Sequence, residues 1–86
     1  MTSARSAAAV FARWKAALAD LLIRHGLSVQ RGQRLAAFII AAVEGAVIMC
    51  RAERSLAPLE AAADEIHALL GHALRGRPDA GHVPRA

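Results

Sequence analysis

Tyrosine is absent from this 86-residue chain, and two phenylalanines and one tryptophan supply all its aromatic volume. The single cysteine, Cys50, excludes an intramolecular disulfide. A reactive thiolate needs an electropositive, partly open setting, which the apolar run around Cys50 does not offer. The residue therefore reads as a small buried hydrophobe in a reducing compartment. Glycines 26, 32 and 45 are isolated, so no glycine-rich loop is present to cradle a phosphate. His25, His67, His72 and His82 lack the spacing of a helical metal pair, and the acids are scattered. Neither an enzyme nor a bound metal or cofactor is expected. The formal net charge of +4 is carried by arginines spread along the chain, with Lys15 as the lone lysine. Without a clustered basic patch, neither nucleic acid nor an anionic membrane surface is implied.

Targeting segments are also missing. Residues 1–22 contain no continuous apolar core followed by a small-residue cleavage site. The opening stretch is Arg- and Ser-bearing with no acid before Asp20, as in an organellar transit peptide. It runs smoothly into a helical pattern of the same composition as the rest, which argues against that reading. A cytoplasmic location is expected.

What the chain has is alanine, at roughly a quarter of its positions, a strong helix former of little volume. A domain this small exposes much of its surface, and without disulfides or metals the usual remedy is oligomerisation. The stretch Leu35–Cys50, LAAFIIAAVEGAVIMC, is apolar nearly all round a helix. Such a helix is buried in protein or spans a membrane. The run falls short of the roughly 20 residues a bilayer core requires and carries Glu44 near its middle, so burial in protein is expected.

Three helices follow from the periodicity. The first, about 7–25, carries Val10, Phe11, Trp14, Leu18, Leu21 and Leu22 at helical spacing and an Asp20/Arg24 pair on the other side. Gly26 supplies a left-handed C′ position and Leu27 the apolar residue after it. Ser28 is a candidate N-cap for the central helix, which begins at Val29 or nearer Gln33 and ends about Arg54. Ala41, Ala42, Gly45 and Ala46 lower its profile for close packing. Pro58 suits the first position of a third helix, with Glu60 in its first turn. Leu59, Ala62, Ala63, Ile66, Leu69, Leu70, Ala73 and Leu74 make the stripe of that helix. Residues 1–6 are expected to fray, 7–75 to form one helical domain, and 76–86 (GRPDAGHVPRA up to its last residue) to be disordered. Glu44 is costly in an apolar helix unless paired, so it either meets an Arg from a neighbouring helix or subunit or lines a ligand cavity.

The apolar helix with Glu44-Gly45-Ala46 and Arg51, a short break, and Pro58-Leu59-Glu60-Ala61-Ala62-Ala63 leading to Leu69-Leu70 resembles the last two helices of a TetR-type transcriptional regulator. The likeness is greatest to the C-terminal domain of the LmrA/YxaF-like branch, and FARWKAALADLLIRHGLS is similar to the helix before that pair. The resemblance implies an all-α, three-helix part of a regulatory domain that homodimerises as a four-helix bundle. It places Leu35, Phe38, Ala41, Ala42, Gly45, Ile48, Met49, Leu59, Ala63, Ile66 and Leu70 at the dimer interface. A small apolar effector is a possible partner, with Glu44, Trp14 and Phe11 as candidates for a ligand or a buried pair. The family's helix-turn-helix module has no counterpart here, so no direct DNA contact is expected of this chain alone. The rival reading is a standalone helical protein that binds an apolar ligand or a full-length regulator through the same faces. A third is membrane association through residues 35–50.

Overall fold

The computed structural model describes residues 3–75, with side chains from Ser6 onward. It is all-α: α1 spans Ser3–Arg24, α2 Val29–Glu53 and α3 Ala57–Arg75, with no strand among the described residues. α1 starts four residues before the expected position, because the Ser3–Ala9 segment is alanine-rich and contains no breaker. The disorder expected of residues 76–86 lies outside the described residues.

The α1–α2 turn is built by backbone geometry that the local residues favour. Gly26 has φ 114°, its N–H donates to the Ile23 carbonyl (3.0 Å), and the Leu27 N–H donates to the Leu22 carbonyl (3.2 Å). These two bonds define a Schellman end with Gly26 at C′, and the apolar residues at its two ends, Leu22 and Leu27, are both buried. α2 then starts at once. The Ser28 hydroxyl accepts from the Arg31 N–H at 3.0 Å, and the Ser28 carbonyl accepts the first helical bond from Gly32 at 2.8 Å. Ser28 is therefore the N-cap, and Gly32 does not delay the helix.

The α2–α3 turn repeats this logic with a less suitable residue. Arg54 takes the left-handed conformation (φ 56°), and the Ser55 N–H donates to the Cys50 carbonyl at 3.1 Å. A side chain at C′ costs on the order of 1 kcal/mol relative to glycine. The Ser55 hydroxyl accepts from the Ala57 N–H at 3.0 Å, and the first bond of α3 runs from the Glu60 N–H to the Leu56 carbonyl. Pro58 is thus the second residue of α3 rather than the first. This costs nothing, since the N–H it lacks would have had no helical acceptor.

The chain divides into two compact units, one ending at Ile40 and one beginning at Ala41, and α2 runs unbroken through the division. In the first unit Ala19, Leu22, Leu27, Leu35, Ala36 and Ile39 are buried. Gly32 is what lets α1 and α2 close there. A Cβ at Gly32 would stand 2.7 Å from Ile23 Cγ1 and 3.3 Å from the Ala19 carbonyl oxygen. Among the described residues of the second unit only Ala46 and Ala73 are buried, and Leu59, Ile66, Leu69 and Leu70 stay half-buried. α2 is therefore not enclosed on every side within one chain, as its composition suggested. Over its 25 residues it is also long and apolar enough to cross a membrane, with mean hydropathy 2.0 in a window that is 22% buried. The length argument against a membrane held only for residues 35–50. Glu44, a carboxylate near the middle of the run, is what weighs against it.

Two substitutions test these contacts. Gly32→Ala should lower stability by about 1–2 kcal/mol although alanine favours helix, because Ile23 and the Ala19 carbonyl must yield. Ser28→Ala should cost about 1 kcal/mol through the lost cap. Urea denaturation reads both. A stabilised Gly32→Ala variant would mean that α1 and α2 lie further apart, and an unchanged Ser28→Ala midpoint would rule out the cap.

Candidate functional site

The described residues hold no group of three His, Cys, Asp or Glu close enough to share a metal ion. No charged or polar side chain among them is fully buried. Asp20 and Arg24 form the expected ion pair at 2.8 Å, but both side chains are about two-thirds exposed. Such a pair stabilises the helix by only about 0.3–0.5 kcal/mol.

An open groove of about 670 Å³ lies in the first unit, lined by Lys15, Ala16, Ala17, Ala19, Asp20, Ile23, Gln33 and Ala37. Four alanines and Ile23 make most of this lining, and Lys15, Asp20 and Gln33 are its polar members. The three residues expected to serve a ligand, Glu44, Trp14 and Phe11, do not line it. Trp14 is 49% exposed on α1 and meets Phe11 edge to face, with ring centroids 5.7 Å apart. The aromatic pair closes on itself at the surface and does not line the groove.

The prominent surface is one side of α2. In the second unit Ala41, Ile48, Met49 and Ala52 are exposed, Ile48 to 65%. Ala42 and Gly45 are half-buried beside them, and a Cβ at Gly45 would meet nothing within 4 Å. The close packing expected of Gly45 therefore does not occur inside the chain, where Gly32 has that role. On the opposite side of the same turns Ala46 is buried, and Val43, Val47 and Cys50 are half-buried. Cys50 is thus less enclosed than its neighbours in sequence suggested.

Of the other residues expected at an interface, Phe38 stands more than half exposed on α2. Leu35 does not: at 2% exposed it belongs to the core of the first unit and offers no surface. On α3, Ala63 is exposed and Leu59, Ile66 and Leu70 are half-buried. Glu44 sits half-buried on a flank of the open face of α2, with no cation within 4.0 Å among the described residues. The partner its position calls for is not among the described residues.

The profile described as "Transcriptional regulator LmrA/YxaF-like, C-terminal domain" matches residues 2–65. Two relatives are uncharacterised HTH-type transcriptional regulators of Mycobacterium tuberculosis, from strains CDC 1551 and H37Rv. Each is 36% identical over 64 residues, which is 74% of this chain and 33% of the relative. The chain thus spans about a third of the length of these curated relatives. No solved structure matches.

Trp14, as the only tryptophan, reports on its own surroundings. Acrylamide should quench its emission freely, and the emission maximum should lie toward the red, as for a partly hydrated indole. A blue-shifted, shielded emission would mean that a partner covers α1 around Trp14.

Proposed function

The chain belongs to the LmrA/YxaF-like transcriptional regulators, to whose C-terminal domain it corresponds, and from that premise we propose that it is a homodimerisation module of the regulatory part. The observation that carries this reading is the open apolar side of α2. In a unit whose only buried residues among those described are Ala46 and Ala73, an isoleucine and a methionine on the central helix face solvent. Apolar surface concentrated in this way marks an interaction site, and a lone helix pair without a core of its own needs a further layer. A second copy of the chain supplies that layer as a four-helix association of α2 and α3 with their mates. Phe38, Ala41, Ala42, Gly45, Ile48 and Met49 on α2, with Leu59, Ala63, Ile66 and Leu70 on α3, are the surface assigned to it.

On this reading operator binding belongs to a helix-turn-helix outside the third of the relatives that this chain matches. The protein works in the cytoplasm as a non-enzymatic part of transcription regulation. A small apolar effector fits the groove of the first unit better than the neighbourhood of Glu44, because the groove is concave and lined mostly by alanines and Ile23.

Ile48→Asp tests the interface without touching the core, since Ile48 is exposed in the single chain. The wild-type chain should have twice the chain mass by light scattering. The variant should have the mass of one chain and keep its helical circular dichroism. A wild-type chain that is a folded monomer, or a variant that remains a dimer, would overturn the assignment.

A further inference from the structure

The free side of α2 has a register that selects how a second copy lies on it. Ala41, Gly45, Ile48 and Ala52 recur at alternating spacings of four, three and four residues, the pattern that meshes one helix with another at a shallow angle. Met49 and Ala42 flank this line on one side, and Glu44 and Arg51 on the other. Glu44 and Arg51 are seven residues apart, so they share a flank but stand about 10 Å apart along the axis. Neither has an opposite charge within 4.0 Å among the described residues.

We propose that a second copy docks antiparallel along this side of α2, with the two-fold axis midway between Gly45 and Ile48, so that Glu44 of each copy pairs with Arg51 of the other. This rests on the homodimer reading and specifies its geometry. In that register Gly45 faces Ile48 of the second copy and Ala41 faces Ala52, each contact occurring twice as an isologous interface requires. The open space at Gly45 receives the isoleucine. Glu44 and Arg51 of the second copy then lie within about two residues, roughly 3 Å, of the same level along the axis. A parallel pair sets Glu44 against Met49 and Arg51 against Leu56, which leaves both charges unmatched. Charge complementarity therefore selects the antiparallel arrangement and gives the half-buried carboxylate the partner it lacks among the described residues of its own chain.

Charge exchange tests the pairing. In sedimentation equilibrium, Glu44→Arg alone and Arg51→Glu alone should each weaken the dimer about tenfold or more, because each places two like-charge contacts at the interface. The double variant should return to within about threefold of wild type. Orientation is read separately by oxidation in a Cys50→Ser background. Mixing Ala41→Cys with Ala52→Cys chains should give the mixed disulfide, while neither chain alone should cross-link. A wild-type monomer would overturn both this pairing and the homodimer. A wild-type dimer whose double variant is weakened additively, or whose Ala52→Cys chains cross-link with each other, would overturn the pairing alone.

Discussion

The structure depends on how little interior the second half of the chain can make from its own side chains. Alanine forms helix readily but removes little apolar area from water when buried. Where α2 crosses α1, leucines and isoleucines fill the space and Gly32 brings the backbones together. Beyond Ile40 the buried positions are Ala46 and Ala73, and the larger side chains of α3 are covered only in part. A helix as apolar as α2 cannot end its packing there without leaving Ile48 and Met49 in water. On the homodimer reading proposed above, a second surface makes good this local scarcity of volume.

Secondary structure is secured independently of that requirement. Both connections are short and their backbone groups are accounted for: a glycine Schellman end and a serine cap at one, a left-handed arginine and a serine hydroxyl at the other. Helix–helix geometry in each unit is consequently set by turns that do not rely on the missing layer. The turn at Arg54 is the costlier of the two, since an arginine holds a conformation that glycine adopts freely.

Much of this was legible in the residues. Gly26, Leu27 and Ser28 announced the first turn because their roles are local, and the three helices followed from periodicity and from the absence of breakers. The family was legible from the order of Glu44-Gly45-Ala46, Arg51 and the Pro58–Ala63 segment. What periodicity left open is which side of an apolar helix faces its own chain. Leu35 and Phe38 lie three residues apart in the same run, yet one is in the core and the other at the surface. The choice depends on where α1 lies, which no local pattern encodes. Gly32 and Gly45 illustrate the same limit. Gly45 looked like the candidate for close approach and Gly32 only like a break able to delay the helix, and it is the position of Ile23 that gives Gly32 the tight contact. Arg54 gave no signal, since nothing in its side chain favours a positive φ.

The position of Glu44 connects the two levels. An ionised group on an apolar helix is destabilising in a single chain, and its burial without a partner would be worse. Here it escapes full burial only because the face beside it is open. Covering that face with a purely apolar partner would strand the carboxylate, whereas a surface that brings a cation to the same flank offsets the desolvation. Arg51, on that flank of the same helix, is such a cation when a second α2 runs the other way. In the proposed dimer the apolar line is what a second copy covers, and the one acid beside it restricts how that copy can lie.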